Sequence, residues 1–344
     1  MRFGERGTGV ETASLFCHAD TFFAALCFGV LETAGEARLV EMLEAFHDEP
    51  PFIVSSLFPR VGTVRFVPRP PTGRRRGRPD TDQVTPTDRK ALKKLRHVSW
   101  RLYQELIADP NLSPLEIAQP GPDGDAWHLP GEREAMGDAS AAPNWWHLAR
   151  RLPRVTVDRQ TGASTLFFSG ETRFAQGAGL HLLVQWFDET SWRPTFEQAL
   201  SALGDSGIGG ERSGGKGQFD WHGPVSMPVP AQSATGTFMT ISPYCPRERE
   251  LAGGILGPDA SWGLVTRGGW VGASGARSRR HRPVTMIDAG SVLHHPQSAI
   301  GHTLGQLVEV TPRDFERPFS IWRYGYAFPI PMGSGRTSGE EQDT

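Results

Sequence analysis

The hydrophobic period changes along this chain in an order that few folds accommodate. Helical spacing comes first: Phe22, Leu26 and Val30 share a face behind an N-cap at Asp20. Leu39, Met42, Leu43 and Phe46 then repeat the i, i+3, i+4, i+7 pattern. A strand-like segment, FIVSSLFPRVGTVRFV, follows, with a break expected at Pro59. Residues 68 to about 150 lose the rhythm and read as an insertion with two short helical pieces, DRKALKKLRHV and SWRLYQELIA. Strands resume at RVTVDR, STLFFSGETRF and LHLLVQWF. A helix with Pro194 in its first turn places Phe196, Ala199, Leu200 and Leu203 on one face. It ends in a glycine loop, and GQFDWHG reads as the next strand. With one strand ahead of the first helix, this order becomes a split βαβ, ferredoxin-like unit. After PVSMPVP, the segments GTFMTISPY, SWGLVTRGGWVG, RPVTMIDAGSVL and FSIWRYGYAFPIP predict a second α+β or mostly-β domain, a degenerate copy of the first.

Charge is uneven. The formal net charge is −2, yet residues 60–101 carry thirteen Lys/Arg against three Asp, and RSRRHR adds a block at 277–282. Such local excess attracts phosphate, or forms a solvated face. Three cysteines, Cys17, Cys27 and Cys245, make no CxxC pair and fit reduced thiols in a cytoplasmic protein. No signal peptide is recognisable, and no apolar run reaches ~18 residues.

The loop GDSGIGGERSGGKGQF, 204–219, has seven glycines. Gly210–Lys216 satisfies G-x-x-x-x-G-K, but Gly217 stands where a P-loop has Ser or Thr. The loop also leaves a helix instead of opening one, so the helix dipole is the wrong way round for phosphate. A dinucleotide fingerprint fails at Arg212. Two readings stay open. One is a backbone nest with Arg212, Ser213 and Lys216 for a phosphodiester; the other is a flexible corner.

Other groups are weaker signals. His18 could be a general acid or base, but it fits packing or RNA contact better. His294, His295 and His302 lack the spacing of a metal site. Ser274 misses the G-x-S-x-G elbow at Ala276. Gly325–Phe328 partly matches an RNA-stacking strand motif, with buried aromatics the better reading. Trp270, among glycines and arginines, suits single-stranded RNA.

Taken together, FGERGTGVETAS, HADTFFAAL, SSLFPRVGTVRFVPRP, VTVDRQTGAS, the glycine loop, RGGWVGAS, VTMIDAGSVL and WRYGYAFPIP resemble one family. It is the RAMP-superfamily subunit of type III-A CRISPR (Csm) effector complexes that binds the crRNA 5′ handle. The resemblance implies an α+β protein of two ferredoxin-like (RRM-like) domains, 1–228 and 229–332, with a disordered tail at 333–344. The first domain would have a shortened first strand, an inserted thumb hairpin within 68–150 and the glycine loop at 204–217. It further implies a non-catalytic antiviral-defence subunit without cofactor or metal. That subunit would anchor the handle and link the large polymerase-cyclase-like subunit to the backbone filament. RNA contact carries onto Gly207, Gly209, Gly210, Arg212, Ser213 and Lys216, and further onto His18, Lys93, Lys94, Arg267, Trp270, Arg277, Arg279 and Arg280. The family's His-Ser-Asp is here His18-Ala19-Asp20. The alternative, from a related RAMP branch, is a metal-independent endoribonuclease built on His18 and Lys216.

Overall fold

In a computed structural model, the described residues are 3, 14–71, 85–109, 111–210, 212, 215–227, 236–258, 260–271, 279–295, 302–313, 315 and 319–332. The tail at 333–344, Ser213, Arg277 and most of FGERGTGVETAS lie outside them. Phe3 is buried and bridges Ser14.

The protein is α+β with several sheets. The first helix runs Ala19–Asp48 and kinks at Gly35, whose φ of 81° only glycine adopts readily. Its N-cap is His18, without a side-chain cap bond; the Ala19 N–H is met instead by Ser56 Oγ at 3.1 Å. Asp20 is therefore not the cap that the sequence suggests. The second long helix is Glu189–Ser206, capped by Asp188 at its Ser191 N–H. It starts earlier than expected, which puts Pro194 inside the helix.

Between the helices, Phe52–Val54 pairs antiparallel with Val184–Trp186, and Phe58–Val61 with Ala178–His181. The break falls at Ser55–Leu57, not at Pro59. Pro59 pairs only with Leu180, and the facing strand Val64–Pro68 meets only Arg60 and Val61, so its missing N–H costs no ladder bond there. Ser55 Oγ accepts from the Leu183 N–H at 3.0 Å and carries the ribbon across the gap. The insertion extends this sheet: His97–Ser99 joins Val64–Pro68, and Ala126–His128 joins His97–Ser99 in parallel.

RVTVDR and STLFFSGETRF are strands, as expected, and they stand apart from that sheet: they form one long hairpin, Trp146–Val157 with Ser164–Phe174, turned at 158–163. Only its first residues fall within the 68–150 interval expected to hold a hairpin. One expectation fails here: GQFDWHG is not a strand, since the Phe219 N–H bonds the Gly204 carbonyl at 3.1 Å and the Gln218 amide the Asp205 carbonyl at 2.8 Å. The segment is spent on the open carbonyls of the helix end.

Among the described residues, the C-terminal part holds three small sheets. In one, Thr237–Thr240 lies between Val292–His294 and Pro329–Pro331. In the others, Leu264–Arg267 pairs with Val284–Ile287, and Gly305–Glu309 with Trp322–Tyr326. One core crosses the chain's two halves. Phe23, Phe46 and Phe52 pack with Tyr324 and Tyr326. Tyr324 Oη accepts from the Val54 N–H at 2.9 Å, and Tyr326 Oη donates to the Phe46 carbonyl. Aromatics of this size, fully enclosed, dominate the burial energy.

His97 and His181 are buried in the sheet. Burial holds His97 at about 3 and His181 at about 4, the latter despite its contact with the Phe66 carbonyl. Because both values lie below the unfolded value, the unfolded chain binds the extra protons. Stability is then full above about pH 6.5 and declines toward pH 4, by about 1.4 kcal/mol per pH unit for each histidine. Urea denaturation at pH 7.5 and 5 should show that decline, and His97→Asn should remove about one proton from its slope.

Candidate nucleic-acid interface

The glycine loop is closed at its base by backbone hydrogen bonds. Gly207 ends the second long helix at φ 82°, and its N–H bonds the Leu203 carbonyl at 2.7 Å. The Ile208 N–H bonds the Gly217 carbonyl at 3.0 Å, so the two strands of the loop meet at a neck, with Ile208 buried. No side chain fits that neck. A Cβ on Gly207 would meet the Lys216 carbonyl at 2.6 Å, and one on Gly217 the Ile208 oxygen at 2.2 Å. The glycines thus let the backbone close on itself at the neck. Gly209, at φ 95°, and Gly210 lead to the exposed end of the loop.

The two cations of the loop differ. Lys216 Nζ pairs with Glu171 at 2.6 Å, and Arg173 pairs with the same carboxylate, also at 2.6 Å. The Lys216 hydrogen bond, with Arg173 in support, holds Glu171 below the usual carboxylate range. Lys216 therefore ties the loop to the base of the long hairpin. Arg212 is exposed, with its guanidinium 5.9 Å from the ring centroid of Phe28, itself exposed on the first helix. Phe28 escaped sequence reasoning because it sits on a helical stripe beside core residues.

His18 and Arg267 do not face solvent. Arg267 is 4% exposed and bidentate on Asp20, with both contacts at 3.0 Å. It also donates to Thr21 Oγ1 at 2.9 Å, while Arg323 takes Asp20 Oδ2 from the other side. Although burial opposes its ionisation, the two guanidiniums hold Asp20 at about 2. Arg267 is thus a structural ion-pair partner, withdrawn from any RNA-facing surface, because a carboxylate buried at this depth needs its charge. His18 is 8% exposed, and burial, aided by Arg267, holds it at about 4. Among the described residues, its Nδ1 has no hydrogen-bond partner.

Trp270 and Arg280 come together. They form a bridge, with Arg280 Cζ 4.8 Å from the indole centroid and Trp270 54% exposed. The Arg279 carbonyl accepts from the Val271 N–H at 2.7 Å in the same stem. Lys93 and Lys94 are exposed in the last turn of the helix Pro86–Lys94. Among the described residues, no cluster of three or more His, Cys, Asp or Glu could hold a metal ion, and no helix is long and apolar enough to cross a membrane.

Residues 233–332 match the family model described as the CRISPR Csm4 C-terminal domain. The chain resembles Csm4. It is 24% identical to "CRISPR system Cms protein Csm4" of Thermococcus onnurineus (strain NA1), over 91% of this chain and 90% of that one. It is 25% identical to the protein so named from Mycobacterium tuberculosis (strain CDC 1551 / Oshkosh), over 86% and 85%. Among solved structures, a chain of the Csm3–Csm4 subcomplex of a type III-A CRISPR-Cas interference complex aligns with TM-score 0.62 at 15% identity, covering 92% and 94%. A chain of a Csm1–Csm4 cassette with cA4 aligns with TM-score 0.55 at 19% identity, covering 92% and 91%. The Csm4-like resemblance thus spans the insertion as well as the two halves.

Two outcomes follow for the Csm4-like site. Asp20→Asn leaves two guanidiniums buried without a counter-charge and should cost about 3–5 kcal/mol in chemical denaturation. Gly217→Ala forces a side chain onto a left-handed residue at a closed neck. It should cost about 1–3 kcal/mol in the same measurement.

Proposed function

We propose that this protein is a non-catalytic RNA-binding subunit of a type III-A CRISPR effector, holding the repeat-derived 5′ handle of crRNA. In this reading it has two ferredoxin-like domains and works in the cytoplasm. It docks on the large polymerase-cyclase-like subunit and starts the backbone filament. The Csm3- and Csm1-containing assemblies of its structural neighbours support those partners. The observation that carries the reading is the glycine loop, closed at its neck and presenting exposed Arg212 beside exposed Phe28. A cation beside an aromatic, on backbone that admits close approach, suits a phosphate and an unpaired base.

The endoribonuclease alternative needs a titrating histidine at the scissile phosphate. A buried His18 held at about 4, with Lys216 paired to Glu171, favours the scaffold. The test is binding of the full chain to a labelled crRNA, and to the same RNA without its 5′ repeat-derived bases, across a salt series. Tight binding that needs those bases, with the RNA intact, is expected. Arg212→Ala should lower affinity and flatten the slope of log K against log salt by about 0.7. Cleavage of the RNA by wild type, lost in His18→Ala, would replace the scaffold with the nuclease.

A further inference from the structure

A cleft of about 660 Å³ lies between the insertion and the C-terminal part, away from the glycine loop's residues. It is broad and open on one side, so it can take a flat group that stays partly in solvent. One wall carries Arg69, Lys93 and Arg96. The other carries Trp262, Ser261 and Asp288. Both walls are built. Arg69 is held by its Nη1 bond to the Leu92 carbonyl at 2.9 Å and by its N–H on the Arg96 carbonyl at 2.9 Å. Trp262, 47% exposed, is gripped on each side. Ser261 exchanges backbone bonds with Val292 at 2.9 and 2.8 Å. Gly263 gives its N–H to Ser291 Oγ at 3.2 Å and accepts from the Asp288 N–H at 2.9 Å. Gly290, at φ 93°, turns the chain beneath them. With the backbone on both sides of Trp262 fixed, little further ordering of the chain is needed when a flat ligand stacks on its exposed face.

Resting on the RNA-binding reading above, we propose that this cleft takes one unpaired nucleotide of the bound RNA. Its base stacks on Trp262, with an amino edge toward Asp288, and its phosphate lies on the Arg69–Lys93–Arg96 wall. Three cations against one acid suit a phosphodiester. An indole face suits any base. The carboxylate, with one oxygen taken by the Ala289 N–H at 2.8 Å, can only accept while ionised, and so favours bases bearing an amino group. Burial raises Asp288 above the usual carboxylate range, with Arg267 pulling the other way.

The test uses the full chain and a crRNA in which each 5′ nucleotide in turn is abasic. Trp262→Ala should weaken binding about tenfold, with an unchanged melting temperature, and Trp262→Phe should keep most of the affinity. One abasic position should abolish the difference between wild type and Trp262→Ala. Photocrosslinking of 5-bromouridine at a neighbouring position should mark the tryptic peptide 250–267. Asp288→Asn should reduce the preference for an amino-bearing base there. If Trp262→Ala binds like wild type while Arg212→Ala does not, the cleft proposal fails and the RNA reading stands. If wild type binds no RNA, both fail. Displacement by excess AMP without any dependence on an RNA position would make the cleft a free-nucleotide site. Loss of large-subunit binding alone would make it a protein contact. Either result would overturn the proposal.

Discussion

The buried carboxylate of Asp20, shared by Arg267 and Arg323, is the contact that sets how the two halves of the chain sit together. It lies in the first turn of the first helix, while its partners come from two different C-terminal sheets. Burying three charges is no gain by itself, since the desolvation of each ion opposes the Coulomb attraction. What it supplies is a unique fit. The aromatic packing of Phe23, Phe46, Tyr324 and Tyr326 is by itself weakly directional, and its register is set by polar contacts. A slide that parts Asp20 from either guanidinium leaves a charge stranded in the core.

This network also explains what was legible beforehand. The helices and most strands followed from apolar spacing and from turn residues, both local signals. Partners far apart in sequence did not. Nothing near Arg267 distinguishes it from the exposed Arg280 in the same glycine-rich stretch, and only the distant Asp20 decides which one turns inward. Likewise, the strand spacing in STLFFSGETRF was read correctly as a strand, but not as an arm of a separate hairpin. Alternation defines a pleat and says nothing of which strand lies beside it.

At the candidate site, the glycines were readable because their spacing is itself the signal, and the closed neck accounts for why side chains are absent there. The roles of the loop's charges were not. Lys216 and Arg212 are four residues apart, yet one is tied to Glu171 and the other is exposed above Phe28. The cleft with Trp262 was overlooked for the same reason: Lys93 was noticed as charge, but the tryptophan opposite it lies far along the chain.

The Lys216–Glu171 pair has a mechanical side. Glu171 stands near the root of a two-stranded arm whose strands run eleven or twelve residues, about 35 Å at the rise of an extended chain. Val155, Val157 and Leu166 lie exposed toward its far end. Lys216 and Arg173 share the one Glu171 carboxylate, so the ion pairs that fix the root of this arm also fix the closing end of the glycine loop.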